Sequence, residues 1–422
     1  MLAFLSDSSW AQTIGPGQTK GNVGYVSQTG SNIRFGRIEI HPAIKVEGRL
    51  NDNIFLEADK KFDDGTSEGV SEDFIRDVKP SVKFQKVRRK GEFLGFDINY
   101  QLTKQTFTNL SSENKLLHDV KGSMQFAGPG DRLKLTTKGR WFDTISPASS
   151  EFGSNFNPRA RRIDANIGAD LDFDITARLS LNLNSNFRSN TFKEVAIKGE
   201  NKQVTFVGGG VFWKVTPLTA VGVKYQFRAI NYTRPGTINL DSETNSIYGV
   251  IKFAPTAFIS GEIGAGFDGR NYKARTPADR VTNPDRDAAR YDVNLNYHLS
   301  DRTSFVLTGN RGVKDSTFAN IQAYLATSAK LLWHQKWGRK FSSQIGGGYQ
   351  NQDYSIATAD SRNFGALKKR NDDRYTAEFS LTYAIQKWLK ATLQYNYKEN
   401  VSNFDDRDYR NNTLGLSLNA VF

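Results

Sequence analysis

The chain has 422 residues, 57 Lys and Arg against 44 Asp and Glu for a net charge of +13, 12 % aromatic residues and no cysteine. The aromatic content excludes a disordered tail, and the missing cysteine excludes disulfides, thiolate metal clusters and cysteine nucleophiles. No run of about 18 apolar residues exists to form a membrane helix, but a transmembrane β-barrel stays open because it needs only alternate residues to be apolar. The cations are spread along the chain instead of forming a basic stripe, so nucleic acid is not expected as a partner.

Residues 1–37 read as a signal remnant or a flexible lead. Met1 to Gln12 carries a small apolar patch and ends in Ser-Trp-Ala-Gln, but has neither a basic start nor a full apolar stretch. From residue 38 onward period-2 alternation sets in. Ile38, Ile40, Pro42, Ile44 and Val46 share one face, and Glu39, His41, Lys45 and Glu47 the other. The pattern returns in Ile163 to Phe173, in Val221 to Phe227 and in Tyr291 to Tyr297, and helical spacing is nowhere sustained. The runs fall at 38–50, 73–86, 91–107, 114–126, 131–142, 159–173, 178–192, 201–215, 219–232, 242–253, 257–272, 288–298, 303–313, 321–335, 341–356, 372–385, 388–400 and 409–422, which is eighteen strands of an all-β protein.

Tight turns such as Gly128-Pro129-Gly130-Asp131 and Thr216-Pro217-Leu218 alternate with long polar connections such as 51–72, 143–158, 273–287 and 357–371. That order predicts an up-and-down antiparallel barrel over 38–422, with turns on one rim and loops on the other, and with both ends of the barrel on the turn rim, the periplasmic side. Alternation alone also fits a soluble sandwich. The membrane reading rests on the long strands, on ionised residues along the whole polar face, and on Trp141, Trp213, Trp333, Trp337, Trp388, Tyr395 and Tyr397 near strand ends, where an aromatic girdle would meet headgroups. In the last segment Leu414, Leu416, Leu418, Ala420 and Phe422 form one apolar face ending on Phe. It resembles the terminal strand that bacterial outer-membrane barrels present to their insertion machinery.

Motifs for chemistry are weak. Gly264-Ala265-Gly266-Phe267-Asp268-Gly269 matches a dinucleotide fingerprint but precedes a polar strand end, and Gly65-Thr66-Ser67-Glu68-Gly69 matches a nucleophile elbow but lies in a predicted loop. His41, His118, His298 and His334 have no ligand spacing, and Asp63-Asp64 and Asp405-Asp406 with Asp408 read as solvated loop tips before a calcium site. No enzyme, metal or cofactor is expected. The polar face says more. Lys121, Lys134, Lys138, Arg140, Arg188, Lys224, Arg228, Arg374, Lys390 and Lys398 are the basic residues expected to line a lumen, where cations outnumber acids such as Glu47, Asp119, Asp164, Asp170, Asp172, Glu262 and Glu378. Two arrangements fit: a basic wall opposed to an acidic one, which would favour anions, or charges paired across strands that merely keep the lumen wet.

His41-Pro42, followed by Asp52-Asn53 and Phe55, resembles the outer-membrane β-barrel porin family associated with exopolysaccharide operons, and the strand rhythm and Phe422 extend the likeness over 38–422. The resemblance implies a barrel of this size in the bacterial outer membrane that takes part in passing a polysaccharide, with periplasmic export components as partners and no catalytic residues. A passive diffusion porin for small anionic solutes and a structural or docking barrel are the alternatives.

Overall fold

The computed structural model describes residues 33–56, 71–89, 91–147, 159–193, 201–233, 240–273, 285–316, 323–359, 367–404 and 407–422. The motif at 65–69 and the acidic pairs at 63–64 and 405–406 lie outside them. The strands are β1 (Ile33–Phe35), β2 (Ile38–Asn51), β3 (Asp73–Lys86), β4 (Leu94–Phe107), β5 (Lys115–Ala127), β6 (Leu133–Pro147), β7 (Arg159–Asp174), β8 (Leu179–Phe192), β9 (Lys202–Thr216), β10 (Thr219–Tyr232), β11 (Ser242–Phe253), β12 (Ile259–Tyr272), β13 (Arg286–His298), β14 (Thr303–Asp315), β15 (Ala323–Lys336), β16 (Phe341–Ala359), β17 (Leu367–Ala384), β18 (Leu389–Ser402) and β19 (Tyr409–Val421).

Each strand from β2 to β19 pairs antiparallel with its neighbours in sequence, and β19 returns to pair with β2 from Thr413↔Asn51 to Val421↔Ala43. The sheet is therefore a closed eighteen-stranded barrel, and each of the eighteen expected segments corresponds to one of its strands. Ile33–Phe35, inside the segment read as a lead, forms the additional short strand β1 through a tight turn in which Gly36 takes φ +59°. It pairs with the part of β2 beyond the end of β19, at Ile33↔Ile40 and Phe35↔Ile38.

Closure follows from the solvent. In hydrocarbon an unpaired backbone amide has no water to turn to, so a sheet that crosses a bilayer must have no free edge. The barrel strands run from 12 to 19 residues, more than the roughly 9 to 11 needed to cross the apolar layer, and the excess stands above it on the loop side. There the outward face changes character: on β6 and β7 the outward positions beyond Trp141 hold Asp143, which takes the Arg161 guanidinium at 2.9 and 3.0 Å.

Within the apolar band the outer surface carries Ile44, Val46 and Leu50 on β2, Val221 and Val223 on β10, Ile247 and Ile251 on β11, and Leu414, Leu416 and Leu418 on β19, all exposed. At the turn rim the register sets aromatic rings side by side. Tyr297, Phe305 and Trp333 stack in a row with centroids 6.3 Å apart, Phe341 meets Tyr383 at 4.5 Å, and Trp388 meets Phe422 at 5.9 Å. This is an interfacial girdle on the β13–β19 wall. Among the described residues apolar packing inside forms small groups: Ile54, Ile75 and Phe107, or Tyr324, Ala326, Tyr354 and Phe404, at the loop-side end, and Phe212, Tyr248 and Val250 nearer the turns.

Leu416 lies near the middle of β19 with 58 % of its surface exposed. Leu416→Arg is expected to cost about 2–4 kcal/mol, the range for a cation on the lipid face near mid-bilayer, in denaturant unfolding of the barrel in lipid vesicles. Lys138→Ala, on the opposite face, should stay within about 0.5 kcal/mol.

Candidate functional site

The residues between the apolar positions point into the barrel and form its charged lining. On β6 these are Lys134, Lys138 and Arg140, in register with Asp172, Gly168 and Asn166 of β7. Asp170 takes Lys138 at 3.3 Å, and Asp119 of β5 takes Arg140 at 2.8 Å. Asp164 receives Arg162 at 2.8 Å and Arg188 of β8 at 3.8 Å. Basic and acidic strands are thus neighbours, not opposed walls. A cross-strand pair brings unlike charges to hydrogen-bonding distance, whereas walls facing each other across water would leave both desolvation and attraction unresolved.

The densest network lies on β2 and β3. Glu47, nearly fully buried, accepts Lys45 at 3.0 Å and Lys79 at 2.9 Å, while Asp77 accepts Lys79 at 2.9 Å and Arg49 at 2.7 Å. Lys79 and Asp77 escaped the sequence reading because the alternation on β3 is disguised: Ile75 faces inward and Arg76 outward at its loop-side end.

On the wall from β8 to β14 the lining crosses chords of the barrel. Asp315, at the end of β14, binds Arg228 of β10 at 2.9 Å, pairs with Arg270 of β12 and lies 3.9 Å from Lys202 of β9. Four strand spacings separate β10 from β14, roughly 19 Å along the wall, so these contacts form only because the end of β14 leans over the lumen. Lys252 of β11 reaches Asn182 of β8 at 3.1 Å and lies 3.8 Å over the Phe212 ring, and Lys224 pairs with Glu262. Phe212 lies flat on the wall because a Cβ at inward Gly222 would come within 2.5 Å of the ring. The Gly264 to Gly269 motif sits within β12, where the inward glycines 264 and 266 lie beneath Tyr248.

At the loop-side end four of the strands that run from turn to loop, β8, β10, β12 and β16, carry an inward aromatic ring with a cation over it. Arg162 covers Phe192 at 5.6 Å, Lys202 covers Tyr232 at 5.9 Å, Arg270 covers Tyr272 at 5.4 Å and Arg370 covers Tyr354 at 4.8 Å. Three of these positions, and Phe107 of β4, also anchor the loops. Phe107, Phe192, Tyr232 and Tyr272 donate their backbone N–H to the side chains of Asn114, Asn201, Asp241 and Asp285, at 2.7, 2.7, 2.8 and 3.0 Å, each just before the next strand. An aromatic followed, one loop later, by Asn or Asp at the strand entry is the signal that could have found this collar.

The ten expected lining cations occupy inward positions at different depths. Lys121 of β5 lies directly opposite Arg140, and Lys138 is nearby in register with Ser123. Arg374 and Lys398 sit on adjacent strands, Arg374 buried against Asn400 at 3.5 Å, while Arg228 belongs to the Asp315 group. Lys134 and Lys390 lie close to the turn rim. Among the described residues Lys121, Lys134 and Lys390 make no ion pair, and Lys138, though paired, is 59 % exposed. The contrast with Arg370 and Asp372, paired and wholly buried, sets a wet stretch of β5, β6 and β18 against a tightly bonded loop-side end on the β16–β18 wall.

A closed antiparallel barrel with an apolar belt outside and a charged lining inside is an outer-membrane β-barrel of the porin type. Consistent with that class, residues 230–422 match the family described as "Putative beta-barrel porin 2", which places the chain in the bacterial outer membrane. No curated protein matches it. Among solved structures it is similar to OpdK of Pseudomonas aeruginosa with vanillate (8 % identity, 91 % of this chain and 99 % of that one, TM-score 0.47) and to OccK3 of the same organism (12 %, 91 % and 96 %, 0.45). It is also similar to the FrpB iron transporter from Neisseria meningitidis at 10 % identity and TM-score 0.44, covering 85 % of this chain but spanning only 62 % of that one.

Asp315→Ala would strand Arg228 and Arg270 in a nearly dry site. The expected cost is about 3 kcal/mol or more, read as a lower unfolding midpoint in denaturant.

Proposed function

We propose that the barrel passes hydrophilic material through the outer membrane and that this material is an exopolysaccharide carrying acidic groups. The observation that supports the reading is the wet stretch of the lining on β5, β6 and β18, where, among the described residues, Lys121, Lys134 and Lys390 have no ion pair and Lys138 stays solvated. Such lysines offer carboxylates and hydroxyls charge-assisted hydrogen bonds that water can replace, so a polymer slides over many weak contacts without being trapped. No bond is made or broken. The resemblance around His41-Pro42 and Asp52-Asn53 points the same way, with periplasmic export components as partners, and the β19 face of Leu414, Leu416, Leu418 and Phe422 serves as the surface shown to the insertion machinery.

The chord formed by Asp315 with Arg228 favours a conduit that opens in steps over a passive diffusion porin. Single-channel recordings separate the two: steady, weakly selective conductance would establish the diffusion porin, and long closures relieved by Asp315→Ala would establish the gated conduit. In the same recordings, the combined change Lys134→Gln, Lys138→Gln and Arg140→Gln is expected to move selectivity toward cations. Each charge about 8 Å from a passing ion is worth roughly 0.5 kcal/mol in water before screening, so anion preference should fall severalfold. An unchanged reversal potential under a salt gradient would refute the basic lining.

A further inference from the structure

The turn-side mouth holds a feature that the lumen reading does not use. β2 continues past the end of β19, and β1 pairs with this overhang; Arg34 is in register with Glu39, on the inward face, while Ile33 and Phe35 share the outward face of Ile38 and Ile40. Beside it the β3–β4 turn folds back on Gly91 at φ +85°. Arg37 Nη1 of the first turn binds Glu92 of the second at 2.7 Å, which ties the two together. Between them lies a cleft of about 110 Å³ lined by Arg34, Arg37, Arg89, Glu39, Glu92 and Val87. From there the inward face continues to Lys83, directly opposite His41.

We infer that this cleft is a docking site for the acidic groups of a saccharide at the periplasmic entrance of the barrel. The inference rests on the conduit reading and adds to it the side of entry and the charge of the cargo. Three guanidiniums face two carboxylates. Arg34 is held by Glu39 at 3.1 Å and Arg37 by Glu92, yet both arginines are largely exposed, and exposed pairs of this kind are weak enough to exchange partners. Among the described residues Arg89 makes no ion pair at all; its contacts with Glu92 are through the backbone, its N–H donating to the Glu92 carboxylate at 3.4 Å and its carbonyl accepting the Glu92 N–H at 3.0 Å. Guanidinium forks match planar carboxylates in two parallel bonds, so a uronate or a similar acid is the group this geometry takes best. Arg34 and Glu39 lie on the lumen side and the apolar Ile33 and Phe35 on the other, which favours a solute at the mouth over a phospholipid headgroup in the bilayer.

The test is calorimetric titration of the full chain in detergent with a galacturonate hexamer, using maltohexaose as the uncharged control. Wild type should bind the acidic hexamer only. R34Q/R37Q/R89Q should weaken binding about tenfold and Arg89→Gln alone about threefold, since each loses charge-assisted bonds; the single variant breaks no ion pair and leaves the fold undisturbed. Equal affinities in all three proteins, equally tight maltohexaose binding, or displacement of the hexamer by phosphatidylglycerol at equal concentration would overturn the inference. Unchanged binding in a barrel that conducts refutes the cleft and leaves the conduit standing. Cleft-dependent binding in a barrel that passes no solute supports the cleft and refutes the conduit.

Discussion

A backbone amide in hydrocarbon must find its partner within the protein, and everything else in this barrel depends on that. The pairing of β19 with β2 removes the last free edge. Once the sheet is closed, alternate side chains have no choice of solvent. One set meets acyl chains and the other meets water, and the sequence from residue 38 on is written in that two-letter rhythm.

Inside, the charges are arranged by proximity more than by field. Arg140 turns to Asp119, Lys138 to Asp170 and Lys79 to Glu47, each on a neighbouring strand, and Lys79 also to Asp77 on its own strand. Such pairs hold one another at modest net gain while exposed, and become expensive to break where water is excluded, as at Arg370 with Asp372. On the β5–β6 and β16–β18 walls the lining therefore grades from loosely held cations toward the turns to locked pairs beneath the loops. That gradient, more than the overall excess of Lys and Arg, separates a region that can exchange partners with a solute from one that must rearrange to let it by.

The barrel was legible because two solvents impose a period of two over long stretches, and because turn and loop lengths alternate. Legibility failed where that rule lapses. β1 spans three residues, too few to show a period. Above the bilayer the rule relaxes, so Ile75 faces in, while Asp143 and Arg161 face out and pair. The link from Asp315 to Arg228 joins residues 87 apart on strands that are not neighbours; it comes from the lean of one strand end, which no local pattern encodes. The mouth cleft was hidden for a similar reason, since Arg34, Arg37 and Arg89 meet only because two turns lie side by side. The inward set of lysines, by contrast, could be read off strand by strand.

The side-chain clasps at the feet of the loops carry a consequence for how this surface can vary. Asn201 and Asp241 hold the amides of Phe192 and Tyr232, so each loop begins and ends at a knot that the sheet already fixes. Lengthening such a loop adds only the slowly growing entropy of a larger ring tethered at one point, about 0.6 kcal/mol for each doubling. The outward-facing decoration of this protein is thereby free to drift in size and sequence under pressure from the surroundings, while the wall beneath it keeps its register.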